Sequence, residues 1–163
     1  MTHDNGPDIK NKDVQATLQA VDNFILNTLK SLEDRNASSI VNVVVVSDHG
    51  MTSTSNNQLL YLDDLLGPDL YSQLQHWDGW PNVGLSFANN TLLEAASKRL
   101  KGASYDVPYS IASRAELVKL WNWEMTDTVQ ERVADLWILP DVGWSVTTKE
   151  EMISFSQNYI PKG

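Results

Sequence analysis

The run Val41-Asn42-Val43-Val44-Val45-Val46, followed at once by Ser47-Asp48-His49-Gly50-Met51, limits what this chain can fold into more than any other stretch. β-Branched residues are stiff at χ1 and pack well on a pleated surface, so the valine run predicts a strand. It does not alternate with polar residues, which predicts cover on both faces, as in the parallel sheets of α/β proteins. Open α/β sheets hold their sites at the carboxyl ends of such strands, where this one places a carboxylate beside an imidazole. Successive strand side chains point to opposite faces. Asp48 and His49 can therefore serve one ion only where the strand has ended, and Gly50 is expected to let the backbone turn there. Both are good ligands for a divalent metal, zinc above all. An Asp-His pair beside a glycine also arises as turn chemistry, with the Asp accepting from nearby amides. Both readings are open at this point.

The segment before the run supports an α/β layer. Asp13 is a candidate N-cap for a helix to about Arg35, on which Val14, Leu18, Val21, Ile25, Leu29 and Leu32 recur at gaps of three and four. Asn36-Ala37-Ser38-Ser39 closes it. Beyond Met51 lies a hydroxyl-rich loop, then a short strand or turn from Gln58 to Leu66 closed by Gly67-Pro68, and a short helix over 69–76. Val83 to Ala88 reads as a strand, and Thr91-Leu92-Leu93-Glu94 as a capping box opening a helix to about Leu100. Tyr105 to Tyr109 is expected to be extended, with Pro108 placing it at an edge. A second box, Ser113-Arg114-Ala115-Glu116, precedes a short helix; Leu136-Trp137-Ile138-Leu139 is a strand stopped by Pro140; Thr148-Lys149-Glu150-Glu151 forms a third box. Residues 1–68 are thus expected to form the helix-strand part of the core, 69–140 an inserted α+β lobe, and 141–163 the return.

Composition narrows the functions. With 21 acidic against 12 basic residues and a net charge of −9, the chain offers no Lys/Arg groove for nucleic acid. An acidic protein that handles phosphate esters needs cations at its site, which suits bound metal. The absence of cysteine excludes disulfides and thiolate zinc sites. No apolar stretch reaches transmembrane length, and residues 1–13 are polar rather than signal-like. Two triplets, Asn36-Ala37-Ser38 and Asn89-Asn90-Thr91, are glycan acceptors in a chain that enters the secretory pathway.

Taken together, the helix, the valine run with Ser47-Asp48-His49-Gly50-Met51, and Leu136-Trp137-Ile138-Leu139-Pro140-Asp141-Val142-Gly143-Trp144-Ser145 resemble the type I phosphodiesterase/nucleotide pyrophosphatase family of the alkaline phosphatase superfamily. The resemblance implies part of an α/β, alkaline-phosphatase-like, mostly parallel sheet flanked by helices. It implies two zinc ions over a Thr or Ser nucleophile, a covalent intermediate, and hydrolysis of small-molecule phosphodiester or nucleotide substrates. Asp48 and His49 would ligate the zinc nearest the nucleophile. Thr2-His3-Asp4-Asn5-Gly6-Pro7-Asp8 is similar to the family's Gly-His-x-x-Gly-Pro segment, which makes His3 a ligand of the second zinc; Thr2 stands where the family has Gly. The family's further Asp ligand, its nucleophile and its Gly-x-His-Gly-Tyr segment have no counterpart here. The resemblance therefore implies an internal piece of a longer enzyme, inactive alone, whose parent is extracellular, vacuolar or membrane-anchored in a lumen. A superfamily phosphotransferase and a truncated, non-catalytic domain are the alternatives. Thr52 to Ser55 read as a turn satisfying its own backbone, His76 as a surface loop histidine, and the six tryptophans as packing.

Overall fold

The computed structural model describes residues 6–103, 107–123 and 126–158, which divide into one unit up to Ser53 and a second from Thr54. In the first unit, α1 spans Lys12–Asp34. Its N-cap is Asn11, not Asp13: the Asn11 carboxamide oxygen accepts from the N–H groups of Asp13 (2.8 Å) and Val14 (3.4 Å). Asp13 falls in the first turn instead, where its charge suits the helix dipole. The helix ends in a Schellman motif. Asn36, at φ 53°, donates to the Glu33 carbonyl, and Ala37 to that of Leu32, both at 2.9 Å. Of the expected apolar face, Val14 is buried, while Leu18, Val21 and Leu29 are exposed.

The expectation of a strand over 41–46 is corrected. These residues belong to no strand, and Val44 and Val46 are 77% and 81% exposed. A strand exists through the ladder it makes with neighbours, and no described strand pairs with this run. β-Propensity without a partner leaves only an irregular segment.

The second unit holds two sheets around one core. β1 (Leu59–Tyr61) pairs in parallel with β6 (Ser145–Thr147) in the register Leu59↔Ser145. β2 (Leu74–Asp78), β3 (Val83–Phe87), β5 (Leu136–Pro140) and β4 (Tyr109–Ser113) form an antiparallel sheet in that order. β4 is an edge strand that begins just after Pro108; of the stretch 105–109 expected to be extended only Tyr109 belongs to it, and residues 105 and 106 lie outside the described residues. The helices are α2 (Leu62–Tyr71), α3 (Asn90–Ala103), α4 (Arg114–Trp121), α5 (Asp127–Gln130) and α6 (Lys149–Asn158). Leu60, Leu62, Leu66, Leu85, Leu100, Ile138 and Val146 meet in the core, each fully buried aliphatic chain contributing roughly 1.5–3 kcal/mol. The chain is thus mixed α/β, with the antiparallel sheet lying within the segment expected as a lobe.

Several boundaries move for local reasons. Gly67-Pro68 kinks α2 rather than ending it: Gly67 takes φ 68° and Pro68 restarts the helix. Arg99 Nε donates to the Leu65 carbonyl at 2.8 Å, satisfying an acceptor near the kink. Residues 74–76 fall in β2, not in a helix. α3 is capped by the side chain of Asn89, which accepts from Leu92 N–H at 3.0 Å, two residues ahead of the expected Thr91. The boxes at Ser113 and Thr148 form as expected.

Candidate metal-binding pair

Asp48 and His49 lie in the irregular segment after the valines, and the chain bends at Asp48. Both side chains are open to solvent, 85% and 62% exposed. One Asp48 oxygen, Oδ1, accepts from the backbone N–H of His49 at 2.9 Å, so the turn chemistry weighed above is present. The other, Oδ2, lies 3.4 Å from His49 Nε2. His49 Nδ1 is 2.7 Å from the Gly50 carbonyl oxygen. A carbonyl only accepts, so Nδ1 carries a proton, and in the neutral ring Nε2 presents a lone pair. Asp48 Oδ2 lies within ion-pair distance of it, near enough for the two atoms to share one cation, a proton or a metal. With bonds of about 2.0–2.1 Å, two ligand atoms on a tetrahedral zinc stand about 3.3 Å apart, so the pair fits one ion.

Ser47 Oγ donates to the His49 carbonyl and braces the bend. Such backbone acceptors orient a metal-ligating imidazole, yet they leave no mark in a sequence, because every residue has a carbonyl. The role assigned to Gly50 is corrected: its φ is not in the left-handed region, and a Cβ added there would meet nothing within 4 Å. His3 lies outside the described residues. Among the described residues, no three His, Cys, Asp or Glu side chains gather as a metal cage.

Among the remaining candidates, Ser55, His76 and the tryptophans belong to the second unit, where Trp80, 73% exposed, departs from the packing expected of it and His76 sits in a strand rather than a loop. Ser55 Oγ donates to Gln58 Oε1 at 3.1 Å, within a turn where Gln58 N–H reaches the Ser55 carbonyl at 2.9 Å. His76 faces Ser86 across the β2–β3 ladder and lines a cavity of about 330 Å³ with Asp78, Arg114, Asp135 and Trp137. The sequence reading missed the Arg114–Asp135 pair there. Arg114 Nη2 lies 2.6 Å from Asp135 Oδ1, and its Nε donates to the Val133 carbonyl at 2.7 Å. Trp77 and Trp144 pack on the core, and Trp137 Nε1 donates to the Ala134 carbonyl at 3.1 Å. Trp121 and Trp123 lean on each other with ring centroids 5.0 Å apart. No helix among the described residues is long and apolar enough to cross a membrane.

Comparison with known proteins places this geometry in context. The family described as type I phosphodiesterase / nucleotide pyrophosphatase matches residues 1–163. An uncharacterized pyrophosphatase/phosphodiesterase of Schizosaccharomyces pombe is 29% identical over 154 residues, covering 90% of this chain and 29% of the relative. Ectonucleotide pyrophosphatase/phosphodiesterase 1 of Saccharomyces cerevisiae is 30% identical over 146 residues, covering 86% of this chain and 19% of the relative. The chain thus spans less than a third of these relatives' lengths. The fold is similar to that of murine ectonucleotide pyrophosphatase/phosphodiesterase 5, solved as an inactive variant in complex with AMP. That match has a TM-score of 0.64 at 24% identity and covers 88% of this chain and 36% of the mouse one.

Proposed function

The chain belongs to the type I phosphodiesterase/nucleotide pyrophosphatase family, and on that premise we propose that it supplies part of a zinc centre for hydrolysing phosphodiester or pyrophosphate bonds in small nucleotides. The observation that carries this is the closeness of two metal-ligating atoms, Asp48 Oδ2 and His49 Nε2, at 3.4 Å. Asp48 and His49 hold one ion, with His3 as the ligand to a second. Zinc, when bound, polarises a phosphoryl oxygen and activates an attacking oxygen. This chain's residues do the positioning. The Gly50 carbonyl fixes the imidazole tautomer, and the His49 amide fixes the Asp48 carboxylate. A nucleotide substrate accords with the AMP bound by the mouse protein. Attack passes through a Thr or Ser ester, and no hydroxyl of this chain is assigned that part. The antiparallel sheet supports keeping 69–140 as an inserted lobe. The ecto-names among the relatives support an extracytoplasmic protein.

A non-catalytic metal- or partner-binding domain is the second reading, favoured by the lack of a third ligand among the described residues. Titrating the 163-residue chain with zinc by calorimetry, alongside hydrolysis of an aryl phosphodiester, separates them. We expect one zinc bound, with Asp48→Ala and His49→Ala each weakening it roughly ten-fold or more, and no turnover by the chain alone. Zinc affinity indifferent to both substitutions would sink the assignment. Efficient turnover would instead locate a nucleophile within these residues.

A further inference from the structure

We propose that Asn89 is an N-glycan attachment site whose sugar is carried at the N-terminus of α3 with the helix cap intact. The triplet Asn89-Asn90-Thr91 has the acceptor pattern, and both Asn89 and Thr91 are exposed. The two ends of the Asn89 carboxamide do different work. Oδ1 accepts from Leu92 N–H at 3.0 Å, while no described group is bonded to Nδ2. The backbone carbonyl of Asn89 accepts from Leu93 N–H at 3.2 Å, so the first turn is tied down without the amide nitrogen.

Glycosylation uses the idle atom. Nδ2 attacks the anomeric carbon of an oligosaccharide carried on a polyisoprenyl diphosphate, the donor used by the secretory transferase. The Nδ2–C1 bond forms and the bond from C1 to the diphosphate oxygen breaks. The lipid diphosphate leaves with the electron pair, and one Nδ2 proton passes to the transferase. The product is still a planar amide, so Oδ1 keeps its lone pairs and the bond to Leu92 survives. Asn89 lies at the surface, between β3 and α3. Asn36 is exposed too, but it stops α1 in the left-handed conformation and holds no cap through its side chain.

The inference rests on the extracytoplasmic placement proposed above only in that the donor is met there, so the test supplies entry independently. The full chain, behind a cleavable signal sequence, is translated with microsomes, and protease protection identifies imported molecules. Those molecules should carry an endoglycosidase-sensitive glycan at Asn89. Asn89→Asp, which keeps Oδ1, and Thr91→Ala, which leaves the asparagine untouched, should each remove one glycan's mass. The Leu92 amide should exchange equally slowly with and without the sugar. An imported, protected chain whose mass neither substitution changes overturns the site, and loss of Leu92 protection on glycosylation overturns the intact cap. A glycan on the imported chain, with none on the protein from its own cells, supports the site and faults the placement.

Discussion

The imidazole of His49 is oriented by a peptide carbonyl one residue away, so its direction is set by local backbone rather than by a distant partner. The adjacency of Asp48 and His49, on which the proposed ion depends, is legible in the sequence, while the carbonyl that orients the ring is not. Gly50 was misread. A glycine beside a turn suggests a special backbone angle, but only the folded chain reveals that this one needs none. We expect Gly50→Ala to change stability by less than about 0.5 kcal/mol, as surface substitutions do. Gly84→Ala differs, because its Cβ would come within 2.8 Å of Ala134 Cβ and 3.0 Å of the Trp137 ring. It should cost about 1–3 kcal/mol through overpacking. Urea denaturation of the two variants side by side checks both numbers.

Elements announced by side-chain chemistry were legible. Ser113 and Thr148 each showed their box in the sequence, whereas the same spacing at Thr91 and Glu94 misled, because Asn89 caps that helix instead. β6 was not legible, since a three-residue strand carries no usable period. The 74–76 stretch was missed because its strand is written by pairing to β3, not by its own residues. The α4 box also sets a pH response. Hydrogen bonds from the Ser113 backbone and hydroxyl hold the Glu116 carboxyl below its ordinary value of 4.5. Its folded pKa being lowered, the contribution is present above 4.5 and is lost as pH falls through the depressed value. Glu116 is exposed, so solvent screening keeps the effect small. Ser113→Ala should cost roughly 1 kcal/mol at neutral pH and flatten the acid limb of the stability profile. Thermal melts from pH 3 to 7 read both.

Across the whole molecule, order follows hydrogen-bonded pairing more than hydrophobicity. Val43 to Val46 are among the most apolar residues of the chain, yet no described strand pairs with them, while the less uniform β3 and β5 sit in a paired, buried sheet. Hydrogen exchange should find amides 42–53 exchanging at nearly open-chain rates and those of β3 and β5 strongly protected. Equal protection would contradict the architecture. At high pH the second unit should weaken first. Burial raises Tyr71 and Tyr109 above the ordinary 10.0, with Asp63, Glu150 and Glu151 adding to Tyr71, and the hydrogen bond to Asp64 raises Lys149 above 10.5. Raised folded values give stability that is present below the ordinary pKa and lost as pH rises through the shifted one. Loss of circular dichroism should therefore coincide with tyrosinate absorbance above about pH 10. The pairing of β1 with β6 carries a consequence for biogenesis. Leu59 leaves the ribosome long before Ser145 exists to receive it, so the hydrogen-bonding edge of β1 must wait unpaired through most of the unit's translation. Ladders of such sequence separation form slowly and expose apolar surface meanwhile. A nascent chain stalled before Ser145 should therefore be a chaperone client, and release from that client state should coincide with the emergence of Val146.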